Sequence, residues 1–244
     1  MSELNYYFQR IVSLPPHVII KKAIGKIGRK AQLYFRRKWD YKSQTYSIQW
    51  TCPSGQLYSY FCSIPVDLLE IHSREVAGIT ENYLAHRFDL LGSGWVQVKH
   101  GMTCRGLEGN RYEMGELAKV DKEGRWLEER INPANLSESQ RIWRIVDEDY
   151  IPVDWHLDFK SGYRWSEKTW YLDVPFVHKP GVDIKVPWEL ARMQHLMQLA
   201  FAFALARDGR AGFRSPQVYV REFRNQVLDF MATNPPRFGV NWRY

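Results

Sequence analysis

The side chains able to do chemistry are few and scattered. Seven histidines, at 17, 72, 86, 100, 156, 178 and 195, form no metal motif. The nearest approach, His100 and Cys104 with three residues between them, lacks the further ligands a tetrahedral site needs. Tyr171 and His178 are of the right types for an acid–base pair, but their spacing argues for nothing beyond chance. Cys52, Cys62 and Cys104 are too few for a disulfide framework. A Cys52–Cys62 bridge across a hairpin is open, and it would leave Cys104 over. There is no phosphate-binding glycine loop, dinucleotide fingerprint or nucleophile elbow.

One cluster is more informative. Asp183, Lys185, Glu189 and Arg192 surround a single helix start. Lys185 and Arg192 suit a carboxylate or sulfate on a glycan. The structural alternative, which the spacing favours, pairs Arg192 with Glu189 at i,i+3 and uses Asp183 with Lys185 to organise the helix entry. Trp188 reads as a core residue ahead of a sugar platform. Aromatic residues make up 15% of the chain. That suits stacking on the apolar face of a pyranose, and it equally suits large cores.

The elements that must position these residues are mostly helical. Pro15–Phe35 has a helical row of Ile20, Ile24, Ile27 and Ala31, better suited to packing on a domain than to lying on a membrane. Residues 40–63 contain β-prone residues around Pro53-Ser-Gly, a candidate hairpin. A helix is expected over Pro65–Arg87, then a glycine-rich stretch of loops or short strands over Asp89–Asn110. Residues 111–150 are polar, with a short helix from Ser137 that carries Ile142, Trp143, Ile145 and Val146. The aromatic segment Ile151–Asp173 reads as irregular chain over a helical core. One long helix is expected over Pro187–Arg207, apolar on two sides. A second opens at Ser215-Pro216, buries Val220, Phe223, Val227 and Phe230, and stops at Asn234-Pro-Pro. Successive helix pairs with aromatic loops point to an α-solenoid or toroid.

The net charge of +7 is uneven. Residues 1–40 hold nine Lys/Arg against Glu3 and Asp40, and the remainder holds 25 basic and 25 acidic residues. A nucleic-acid or anionic-membrane partner would therefore engage the N-terminal segment alone; nucleic acid ranks below the glycan reading. No run approaches the ~20 apolar residues of a membrane span. No signal peptide is visible, so a cytoplasmic location is expected.

Three stretches together resemble the N-terminal domain of heparinase II/III-like polysaccharide lyases: Ile151-Pro-Val-Asp-Trp155 with Asp158, Ser161-Gly162 and Trp165; Asp183-Ile-Lys-Val-Pro-Trp-Glu-Leu-Ala-Arg192; and Asn234-Pro-Pro with Gly239-Val-Asn-Trp242. The segment His86–Gly92 fits as well. The resemblance implies a mainly α fold, a partial α/α toroid of helical hairpins with a few short strands, divided as a basic segment 1–40 and a toroid portion 41–244. It implies β-elimination on uronate-containing polysaccharides such as heparan sulfate or alginate, with a periplasmic location as the alternative. In that chemistry the uronate carboxylate is neutralised, a base takes the C5 proton, and an acid protonates the leaving oxygen. The family uses Asn or His, Tyr and His for these tasks, C-terminal to the Gly-x-Asn-Trp segment. No position here matches that set, so the catalytic residues, the remaining toroid helices and a β-sandwich are expected beyond residue 244, and the isolated chain is expected to be inactive. No cofactor or metal is implied. The resemblance puts Asn241 and Trp242 at the toroid mouth as a cleft-lining pair, with Asn234, Trp188, Lys185 and Arg192 as further substrate-binding candidates. A non-catalytic glycan-binding or scaffold domain is the competing expectation.

Overall fold

A computed structural model describes residues 15–46, 66–112 and 119–243. The chain divides into two compact units, residues 1–43 and 44–244. In the first, helix α1 (Pro16–Lys42) starts with Pro16 in its first turn, where a missing N–H costs nothing. It runs seven residues past the expected end at Phe35. Ile20, Ile24 and Ile27 are exposed.

The second unit is mainly helical, with two two-stranded antiparallel ribbons. Its helices are α2 (Val66–Glu70), α3 (Ser73–Leu84), α4 (Pro133–Trp143), α5 (Lys185–Ala191), α6 (Leu196–Arg207) and α7 (Pro216–Thr233). The ribbons are β1 (Arg87–Phe88) with β2 (Val96–Gln97), and β3 (Leu157–Asp158) with β4 (Tyr163–Arg164). Helix α7 packs along α6 and α4, and α3 packs on α6. Between them lie buried aromatic clusters: Trp155, Phe88 and Phe159 with Leu157 and Leu190; Trp126 and Trp143 with Ile131 and Ile142; and Tyr219 with Leu196, Leu199 and Leu205.

Several expectations need correction. The helix expected over 65–87 is two, broken by a turn at Ile71-His72. The hairpin over 40–63, with its Cys52–Cys62 bridge, lies mostly outside the described residues, and its first residues belong to α1. Helix α4 begins at Pro133, four residues before Ser137, with Pro133 at its first position. The long helix over 187–207 is also two. Met193 adopts a left-handed φ of 53°, which breaks the ladder and turns His195 inward, where it is 7% exposed. Only part of the expected apolar row of α7 faces inward: Val227 and Phe230 pack against the buried clusters. Val220 and Phe223 are 44% and 41% exposed, while Tyr219, Gln226, Asp229 and Thr233 are buried. Each of these polar groups has hydrogen-bond partners inside, and that offsets the cost of its burial.

Candidate functional site

The three motif stretches singled out in the sequence, 151–165, 183–192 and 234–242, are joined by specific bonds. Asp158, at the end of β3, accepts hydrogen bonds from Lys160 N (3.1 Å), Ser161 N (3.3 Å) and Ser161 Oγ (2.5 Å), closing the turn to β4. Its Oδ2 also accepts from Asp183 N at 3.0 Å, which ties this turn to the second stretch. Asp183 Oδ1 in turn accepts from Lys185 N at 2.9 Å and organises the start of α5. From α5, Trp188 Nε1 donates to Val240 O at 2.8 Å, reaching the third stretch. Asn241 Nδ2 completes the ring by donating to Trp155 O at 2.9 Å and to Asn234 Oδ1 at 2.8 Å.

The close approach at the centre demands glycine. Gly239 has φ 82° and ψ 175°, a region open essentially to glycine alone. A Cβ there would lie 2.3 Å from His156 Nε2.

The six substrate-binding candidates are thus placed as follows. Asn234 is buried at the end of α7; its Nδ2 donates to Phe230 O and its O accepts from Trp242 Nε1 at 3.3 Å. Asn241 and Trp242 are half-buried on the turn that follows, and Asn241 Oδ1 is buried with no hydrogen-bond partner among the described residues. Trp188 is half-buried beside Phe176, Trp165 and Val240. Lys185 is exposed. Arg192 is exposed and ion-paired with Glu189 at 2.9 Å, the i,i+3 contact the spacing anticipates.

Beneath this knot lies a buried ion cluster. Arg164 Nε donates to Asp154 Oδ2 at 2.8 Å and its NH1 to Glu167 Oε2 at 2.9 Å; Arg130 approaches Glu167 at 3.5 Å. Burial alone would raise both acids. The Arg164 charge outweighs it, holding Asp154 well below the usual carboxylate range and Glu167 at about 2. His100 lies 3.4 Å from Asp154 but is not aligned for a hydrogen bond. Burial lowers His100 and His156 to about 4, so both are neutral near pH 7. Two carboxylates against two guanidinium groups leave the cluster self-compensated.

A second buried polar chain runs along α7. His195 Nε2 donates to Gln226 Oε1 (2.5 Å), Gln226 Nε2 donates to Glu222 Oε1 (2.6 Å), and His86 Nε2 meets the same oxygen at 2.7 Å. One turn on, Asp229 Oδ2 accepts from Tyr150 Oη (3.1 Å), Val153 N (2.9 Å) and Trp155 Nε1 (3.0 Å). Burial pushes the Asp229 carboxyl up to about 7 despite these bonds. Asp229 is fully enclosed, so it cannot touch a substrate. A cleft of about 150 Å³ opens beside Tyr150 and Glu222.

This α7 network was missed in the sequence. Its signal was present, because Glu222, Gln226, Asp229 and Thr233 recur at helical spacing. Among the described residues, no three His, Cys, Asp or Glu converge to hold a metal ion, and no helix is long and apolar enough to cross a membrane. No protein-family model, curated protein or solved structure matches the chain.

Proposed function

We propose that the chain is the N-terminal helical portion of a heparinase II/III-like polysaccharide lyase, the helix-rich wall of a partial α/α toroid that handles uronate-containing polysaccharide. What supports this reading is the convergence of its three motif stretches. They are separated by some 20 to 40 residues in sequence, yet Asp158, Asp183, Trp188, Val240, Asn241, Trp155 and Asn234 are linked by side-chain hydrogen bonds. Motif residues spent on one another in this way fix the Gly239–Trp242 turn. Asn241 and Trp242 would then line the cleft, while Lys185 and Arg192 would face anionic groups from the exposed start and end of α5. In this reading the elimination chemistry itself comes from residues outside 1–244.

A second reading, a non-catalytic glycan-binding or scaffold domain, draws on one observation. The indole N–H groups of Trp188 and Trp242 and the amide N–H groups of Asn241 are already engaged internally.

The test is to express the whole product of the gene and incubate it with heparan sulfate, alginate and a neutral glucan. Elimination generates an unsaturated uronate that absorbs in the near-ultraviolet. Growth of that signal with the uronate polymers alone supports the lyase reading. Its absence with every uronate polymer, from a folded whole product, favours the scaffold.

A further inference from the structure

A sizeable cavity lies away from the motif knot. It is a groove of about 580 Å³, within the range of ligand sites, beside β2 and the β3–β4 turn. Strand alternation builds one wall. Trp95, Gln97 and Lys99 are exposed on one side of the extended segment, while Val98 between them is fully buried. Arg105 comes from the following loop and Lys160 from the β3–β4 turn. The floor is apolar, formed by Phe159 and Met102, which are 1% and 8% exposed.

Three features of this groove select a ligand. It collects three cations, Lys99, Arg105 and Lys160, with no Asp or Glu among its described lining residues. Among the described residues neither Lys99 nor Arg105 has an acidic partner, whereas Arg192, Arg210, Arg214, Arg221 and Arg224 do. Lys160 is held in place by donating from Nζ to Leu91 O at 2.7 Å. Trp95 is 43% exposed and braced edge-on by Tyr83 at 5.6 Å, which leaves indole surface for an apolar sugar face.

We propose that this groove binds an anionic sugar unit, carboxylated or sulfated, of an acidic polysaccharide, stacked on Trp95 and held by Lys99, Arg105 and Lys160. The proposal rests on the reading of the chain as a glycan-handling domain and assigns it a binding site separate from the Asn241–Trp242 turn. A nucleic-acid occupant fits less well. Tracking a phosphate backbone takes an extended positive face, because each contact contributes a share of counterion release. Residues 41–244 are charge-neutral overall, and the groove's own three cations surround one cavity.

The experiment is calorimetric titration of the 244-residue chain with a uronate oligosaccharide, a sulfated uronate oligosaccharide, a neutral cello-oligosaccharide and a short DNA duplex. The acidic sugars are expected to bind at least about tenfold more tightly than the neutral one, and the uronate and sulfated arms show which anion is preferred. Lys99→Gln with Arg105→Gln should weaken the acidic sugars by about tenfold or more, the scale of losing contacts at the centre of an interface. Trp95→Ala should weaken them comparably. These side chains are exposed, so thermal melts of the variants should overlay the parent. A control, Lys21→Gln with Lys22→Gln and Lys26→Gln on α1, should leave sugar binding unchanged. Acidic-sugar affinity unaltered by the groove substitutions would overturn the groove and leave the lyase reading standing, because that reading is decided by the elimination assay. Equal affinity for the neutral sugar, no binding of either acidic sugar, or binding of duplex alone would also overturn it.

Discussion

Replacing Gly239 by alanine should destabilise the second unit by about 2–6 kcal/mol. Two costs add. Glycine's φ of 82° with ψ 175° lies where an L-residue is strained by about 1–3 kcal/mol. The new Cβ would sit 2.3 Å from His156 Nε2 and 2.9 Å from Cδ2, an overlap that must be relieved by moving a fully buried ring; such overpacking costs about 1–3 kcal/mol. That ring lies against the Arg164 ion cluster, so it cannot swing away freely. The assay is urea denaturation with a thermal melt. For a unit of this size the melting midpoint should fall by about 4–24 °C. His156→Ala in the same background should recover the steric part and leave the backbone part, giving a coupling of about 1–3 kcal/mol. A Gly239→Ala loss under about 1 kcal/mol, or no coupling to His156, would refute both the geometry of this turn and its role in locking the motif stretches together.

Four further outcomes follow from the polar groups. Arg164→Met should cost about 3–5 kcal/mol in chemical denaturation, because Asp154 and Glu167 lose their main counter-charge while still buried. Arg192→Ala, which removes an exposed i,i+3 pair, should change stability by less than about 1 kcal/mol. Stability should fall as pH drops from about 6.5 to 4: His100, His156 and His195 are held near 4 when folded, so the unfolded chain takes up three protons in that window. Asp229, raised to about 7, opposes with one proton held by the folded state, and the net slope is at most about 3 kcal/mol per pH unit, measured by urea midpoints across pH. Asp229→Asn should remove that opposing contribution. It should steepen the acid loss between pH 4 and 6.5 and leave stability at pH 8 no lower than the parent by more than about 1 kcal/mol, since an amide oxygen can still accept from Tyr150, Val153 and Trp155.

The helical character of the second unit was legible from apolar spacing and from a proline at a helix start, as Pro216 shows; the start at Pro133 was not read. The entry to α5 and the Glu189–Arg192 pair were legible for the same local reason. The break at Met193 was not. A left-handed non-glycine residue has no local signature, and this one is held by the burial of His195 against Gln226. The polar face of α7 escaped because an apolar row, Val220 to Phe230, competes with it at the same period, and only the partners at His86, Tyr150 and Trp155 decide which faces inward. The same limit applied to the site. Asn241 and Trp242 could be singled out by motif, but their bonds to Trp155 and Asn234 join chain positions that no local pattern links. The groove is similar: Lys99, Arg105 and Lys160 are spread over 62 positions and meet only because β2 and the β3–β4 turn lie side by side.

The most direct test of the proposed function is the near-ultraviolet absorbance of a uronate polysaccharide incubated with the whole gene product. The lyase reading predicts a steady rise with heparan sulfate or alginate and none with a neutral glucan. Chain shortening without that absorbance, or no change in any uronate polymer, would contradict it.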